Sequence, residues 1–218
     1  MISHSEIVFT KDGSPTLFLP DYNEHYHSVH GALQESKHVY IENGLAQISQ
    51  SSVKIFELGF GTGLNAALSF LFAEQNRKKI EYHTIEKFPL PAEIVENLQY
   101  EDSLNEYLKK IHSCSWEKLN SLSSYFKILK INADVNTYKP ERQYFDLIYF
   151  DAFAPRVQPE LWSEILLAKM YDMLKKNGFL VTYCANGEFK RNMKKCGFKV
   201  VSLPGPPGKR EMTKGIKV

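Results

Sequence analysis

The sequence predicts an α/β fold: a mostly parallel, seven-stranded sheet with an antiparallel last strand, plus a small N-terminal extension. Three observations carry that expectation. From residue 51 onward, short apolar runs of strand length alternate with longer helical runs, the pattern of a sheet covered by helices on both faces. The first of these strands, residues 53–58, runs straight into Gly59-Phe60-Gly61-Thr62-Gly63 and then a helix. The last two strands are joined by Pro204-Gly205-Pro206-Pro207-Gly208 instead of a helix, which makes them an antiparallel pair at one edge.

Residues 7–19 read as two short strands around Lys11-Asp12-Gly13-Ser14, a turn-forming cluster. Residues 33–43 have helical spacing, with Leu33, Val39 and Ile41 apolar. An extension over 1–50 packed on a domain over 51–218 is the expected organisation. After the strand at 53–58 come a helix at 64–77, a strand at 80–85, and a helix over 91–111 broken near Tyr100. Strands follow at 126–131 and 145–150. A helix over 159–176 opens on Pro159, whose missing N–H costs nothing in the first turn, and closes at Asn177-Gly178. A strand at 179–184, a short helix at 187–195 closed by Gly197, and strands at 199–203 and 213–218 complete the order.

The 218 residues suffice for one domain with elaborations and a real core. Residues 1–20 lack the basic start, apolar middle and cleavage site of a signal peptide, and no apolar run approaches membrane length. Cys114, Cys184 and Cys196 form no C-x-x-C pair. A reduced, cytoplasmic protein without membrane contact is expected. The net charge of +2 hides an asymmetry: residues 175–218 hold eleven Lys or Arg and two acids, a net +9, which leaves −7 on the rest. A basic face suggests a polyanionic partner, against the plainer alternative of a solvated lysine face.

The glycine loop lacks the third glycine of a dinucleotide fingerprint, since Leu64 stands there, and no Gly-Lys-Ser/Thr follows as in a phosphate loop. With Glu57 ahead of it, the pattern resembles the acidic-x-G-x-G-x-G signature of Rossmann-like class I methyltransferases. Their cofactor, S-adenosylmethionine, ends in an amino-acid tail whose ammonium Glu57 can hold directly or through water. The next strand ends in Glu86-Lys87, where an acid reaches the ribose hydroxyls, and the third ends at Asp134, which can accept from the adenine amine. Acids at three successive strand ends obey the rule that ligands bind outside the carboxyl ends of a doubly wound sheet. Glu57, Gly59, Phe60, Gly61, Thr62, Gly63, Asn65, Glu86, Lys87, Asp134 and Asp151 are the expected cofactor contacts.

The fourth strand delivers Asp151-Ala152-Phe153-Ala154-Pro155, and Gln158-Pro159-Glu160-Leu161-Trp162 follows. With Glu86-Lys87-Phe88-Pro89-Leu90, the run from Gly59 to Asn65, Gly208-Lys209-Arg210-Glu211-Met212 and the stretch from Gly31 to Tyr40, these blocks resemble the methyltransferase family that completes 5-methylaminomethyl-2-thiouridine at the wobble position of tRNA. The resemblance runs from about residue 22 to the end. It implies methyl transfer from S-adenosylmethionine to the primary amine of 5-aminomethyl-2-thiouridine. It also implies a stand-alone version of the activity, because many relatives carry a second, flavin-dependent domain and no second glycine fingerprint occurs here. The amine would then come from a separate enzyme.

The chemistry asks for a group that aims the amine's lone pair. A carboxylate of ordinary pKa is too weak a base for an alkyl ammonium, so Asp151, the expected catalytic residue, accepts an N–H and stabilises the charge growing on nitrogen. Its structural alternative is a helix N-cap. The wobble base, in the anticodon loop, must leave its stack, and Tyr22, Tyr26, Phe153 and Pro155 are candidates to hold it. Trp162, on a helix, reads better as core. Lys190, Arg191, Lys194 and Lys195 lie at helical spacing and could grip tRNA phosphates, and Lys209 and Arg210 further on could touch phosphates or close their loop over the cofactor. His25, His27 and His30 do not complete a ligand quartet, and no metal is expected. Two rival readings stay open at this point: a methyltransferase for another amine, small molecule or protein, and a non-catalytic RNA-binding module on the same fold.

Overall fold

The computed structural model describes residues 5–218, so the first four residues of the expected extension lie outside it. The chain opens with β1 (Glu6–Phe9), β2 (Pro15–Leu19) and β3 (Glu24–His25), a small antiparallel sheet. Next come α1 (Ala32–Ser36) and a π-helical turn, Lys37–Glu42. The doubly wound part follows: β4 (Ser52–Leu58), α2 (Leu64–Asn76), β5 (Lys79–Glu86), α3 (Ala92–Glu96), α4 (Asp102–Ser113), β6 (Leu119–Ser121), β7 (Phe126–Asn132), β8 (Phe145–Phe150), α5 (Glu164–Met173), β9 (Leu174–Thr182), α6 (Gly187–Lys195), β10 (Phe198–Pro204) and β11 (Glu211–Lys217).

The large sheet has the order β10-β11-β9-β8-β4-β5-β7-β6. Strands β7, β5, β4, β8 and β9 are parallel, and β11 runs antiparallel between β9 and β10. The seven expected strands are therefore present, and an eighth, the three-residue β6, pairs antiparallel with β7 at the far edge. Central strands β4 and β8 are buried almost end to end, because helices cover both faces of the sheet. Leu17, Ala32, Val39, Tyr40 and Leu45 of the N-terminal segment share one apolar core with Val53, Phe70 and Tyr82. Trp162 is core as expected, edge-on to Phe150 and Phe189.

One helix boundary differs from the expectation. The helix over 159–176 is a 3-10 turn, Pro159–Trp162, followed by α5, which stops at Met173. Leu174 already pairs with Phe145 in the sheet, and the register jumps so that Phe179 opposes Leu147. Asn177-Gly178 is thus a bulge inside β9, with Asn177 at φ 66°, and not a helix stop. Lys217 caps the real helix end, donating to the carbonyls of Tyr171 and Leu174 at 2.8 Å each.

The chain leaves β4 in one direction toward β5 and returns on the other side as β8. This makes the β4/β8 boundary the switch point, where a crevice opens at the carboxyl ends. There the amide of Asp151 donates to Leu58 O at 3.0 Å, and that of Gly59 to Ile85 O at 3.1 Å. The residue after β8 is thereby tied to the start of the glycine loop.

Candidate active site

A cavity of about 470 Å³ sits at this switch point, a size typical of small-molecule sites. Gly59, Phe60, Gly61, Thr62, Asn65, Glu86, Lys87, Asp134 and Asp151 all line it, as do Tyr26, Phe153 and Lys209. The loop needs its glycines. Gly59 stands at φ +91°, and a Cβ there would strike the carbonyl oxygen of Asp151. Gly61 stands at φ +51° with the Tyr26 ring 3.1 Å from any Cβ.

Asp151 is gripped from two sides. Tyr40 Oη donates to Oδ1 at 2.7 Å and Asn65 Nδ2 donates to Oδ2 at 2.7 Å. Burial pushes its carboxyl up to about 6, opposed by these two donors. It is not a helix N-cap: the segment after it is irregular until Pro159. Each carboxyl oxygen accepts from one of these donors, which leaves a second acceptor site on each.

Glu57 lies behind the cavity wall, fully buried at the end of β4. Thr84 Oγ1 donates to its Oε2 at 2.7 Å, while Oε1 has no hydrogen-bond partner. Burial raises this carboxyl to about 8. Gly63 is also behind the wall, packed on His112 and Phe60. Glu86 folds back on the chain, accepting from the amides of Gly61 at 3.2 Å and Phe88 at 2.9 Å. Lys87 and Asp134 form a 2.9 Å ion pair that bridges the ends of β5 and β7.

Several expected substrate contacts lie elsewhere. Tyr22 ends a 3-10 turn, Pro20–Tyr22, that points it to solvent at 58% exposure, and neither it nor Pro155 lines the cavity. Lys190 is occupied by Glu211 and Ser202, at 2.8 Å each, and Lys195 by Glu164. Arg191, Lys194 and Arg210 are exposed outside the cavity. Of the three histidines, His25 and His27 stand on the cavity wall and His30 does not. His27 Nδ1 meets Thr16 Oγ1 at 3.1 Å, His25 packs on Phe18, and His30 lies against Gly208. Among the described residues, no three His, Cys, Asp or Glu side chains gather as a metal site, and no helix is long and apolar enough to cross a membrane.

Three wall or support residues escaped the sequence: Glu35, Tyr40 and Tyr183. Tyr183 follows β9 and could have been found by the strand-end rule that located Glu86 and Asp134. Glu35 and Tyr40 come from the N-terminal segment, where no spacing marks them.

The profile of an S-adenosyl-L-methionine-dependent methyltransferase family matches residues 95–218. The tRNA 5-methylaminomethyl-2-thiouridine biosynthesis bifunctional protein MnmC of Methylobacillus flagellatus is 29% identical over 220 residues, covering 94% of this chain and 34% of that protein. The protein of the same name from Leptospira interrogans is 33% identical over 211 residues, covering 89% of this chain and 32% of its own length. The chain thus spans about a third of the curated relatives it matches. The crystal structure of MnmC2 from Aquifex aeolicus superposes with a TM-score of 0.82 at 26% identity, covering 98% of this chain and 70% of that one.

Proposed function

The chain belongs to the S-adenosyl-L-methionine-dependent methyltransferase family, and from that premise we propose that it methylates the primary amine of 5-aminomethyl-2-thiouridine at the tRNA wobble position. The observation that carries the reading is the Asp151 carboxylate, fixed by Tyr40 and Asn65 in the same cavity as the glycine loop. The names of the MnmC relatives support the substrate.

The residues fit the cofactor. Asn65, on the cavity wall, carries a buried Oδ1 without a hydrogen-bond partner, and Glu57 Oε1, also without one, lies behind that wall. Such atoms cost stability unless a ligand or water donates to them, and the cofactor's ammonium is such a donor. Glu86 and the Lys87–Asp134 pair stand at the ends of β5 and β7, where the ribose and adenine would lie. S-adenosylmethionine supplies an electrophilic methyl group.

The protein's task is to present a neutral, aimed amine. Stripping a proton from an alkyl ammonium at pH 7 costs roughly 4–5 kcal/mol in water. A buried cavity lowers that cost, because desolvation disfavours the charged form. Asp151 accepts an N–H from the amine, which orients the lone pair and stabilises the charge that grows on nitrogen. Tyr40 and Asn65 prevent the carboxylate from swinging, so no reorganisation is needed at the moment of reaction. Tyr26 and Phe153, packed edge to face at 5.0 Å, form an aromatic wall for a flipped base.

The test is transfer of a labelled methyl group to tRNA with and without an aminomethyl group on the wobble uridine. Labelling of the aminomethylated tRNA alone is expected. Equal labelling of both, or of neither while a small amine is methylated, overturns the proposal.

A further inference from the structure

The cavity holds a second pair of charges that the steps above leave unused. Glu35, on α1 and 8% exposed, pairs with Lys209 from the loop between β10 and β11, and both line the cavity. The Lys209 ammonium stands 4.1 Å above the ring centre of Tyr183, whose hydroxyl donates to Ala152 O at 2.7 Å. The loop that carries Lys209 is anchored. His38 Nε2 meets Pro204 O at 2.9 Å, and Gly208 abuts the His30 ring so closely that a Cβ would collide with it. A lysine that grips phosphate needs none of this.

The titratable groups facing Lys209 come from several elements. Glu35 comes from α1, Asp151 from the end of β8, and Tyr183 and Cys184 from the end of β9. Glu24, on the wall from β3, is engaged by Arg156. His27 is neutral, its buried imidazole pushed down to about 4, and the Tyr40 hydroxyl is turned onto Asp151. Without Lys209, two carboxylates would face a primary amine. They would hold it as an ammonium, which has no lone pair to give. Lys209 cancels one of them.

We infer that the fixed Lys209 ammonium, braced by Glu35, selects the unprotonated form of the substrate amine, so that it meets Asp151 with its lone pair free. This rests on the amine substrate proposed above. It makes Lys209 a residue that sets the protonation state of the substrate, not a phosphate contact.

The test uses an anticodon stem-loop carrying aminomethyluridine at the wobble position. Two readouts apply: protons released on binding, from the buffer dependence of the binding enthalpy, and the pH at which the single-turnover rate is half-maximal. The wild type should release close to one proton near neutral pH, because the free amine is protonated there. Lys209→Met should release fewer and move the half-maximal pH up by about one or more. Glu35→Gln should move it down, and Lys209→Arg should stay near wild type. The opposite signs matter, because a mere loop latch would be broken alike by Lys209→Met and Glu35→Gln. Shifts in the same direction, or no shift in either, overturn the inference while leaving the amine substrate in place. A stem-loop that binds no better with the aminomethyl group than without it overturns the substrate reading itself, and this inference with it.

Discussion

The hydroxyl of Tyr40 donates to Asp151 Oδ1 at 2.7 Å, linking residues 111 positions apart. Tyr40 sits in the π-helical turn Lys37–Glu42, and its ring packs at 5.0 Å on Tyr149 of β8. Single π turns recur at functional sites because the wider turn re-aims a side chain. The N-terminal segment therefore helps to fix the Asp151 carboxyl at the cavity. Tyr40→Phe should lower the single-turnover rate roughly ten- to a hundred-fold, the scale of one hydrogen bond to a charged group. The donor also holds the Asp151 carboxyl down, so its loss should move that carboxyl's own titration, followed in the free protein by infrared difference spectroscopy, upward from about 6. A fall in rate with an unmoved carboxyl titration would mean that Tyr40 is only packing.

Asp151→Ala should keep cofactor affinity within a few-fold and lose methyl transfer by about two orders of magnitude or more, the scale of one charge-stabilising group. Glu86→Ala and Asp134→Ala should do the reverse, weakening cofactor binding in calorimetry. Near-normal single-turnover rates in Asp151→Ala would make the residue structural. Unchanged titrations for both other variants would remove them from the cofactor site.

The sheet was legible because its signals are local: buried runs, a glycine loop, and a prolyl link between the last strands. The acids at strand ends were legible for the same reason, since the end of a parallel strand is both a sequence boundary and the rim of the crevice. Asn177-Gly178 misled because the same dipeptide serves a helix stop and a strand bulge, and only the pairing of Leu174 with Phe145 decides between them. Glu35, Tyr40 and the pairing of Lys209 with Glu35 were not legible. Each depends on how the N-terminal segment folds back over β8 and the last hairpin, a contact across more than a hundred residues that no spacing records.

Glu57 should make stability depend on pH. The folded protein keeps this proton up to about pH 8, whereas an unperturbed glutamate loses it near 4.5. Between those values the folded state binds more protons, so stability falls as pH rises. Glu57→Gln removes the trend. The variant should match the wild type near pH 5 and exceed it above pH 8, by on the order of a few kcal/mol for a fully buried acid. Thermal melts of the two proteins across that range decide it. A difference that does not vary with pH would place the carboxyl in a better-satisfied setting than its unpartnered Oε1 indicates.

The basic C-terminal region divides into spent and available charge. Lys190, Lys195 and Lys209 are paired with Glu211, Glu164 and Glu35, and Lys217 caps α5. Arg210 has no ion-pair partner among the described residues, and it adjoins Lys209 at the cavity. A nucleic acid whose base enters that cavity must lay its backbone across the rim, so Arg210 is the cation best placed to meet a phosphate. Arg210→Glu should weaken binding of the tRNA and flatten the log–log salt dependence by roughly 0.7–0.9, the signature of one lost phosphate contact. Lys195→Glu should change the slope little, because its charge is already met by Glu164 on the outer helix. Cofactor binding should be unaffected in both. Equal slopes in wild type and Arg210→Glu would move the RNA path away from the last hairpin, and the N-terminal strands would be the next surface to probe.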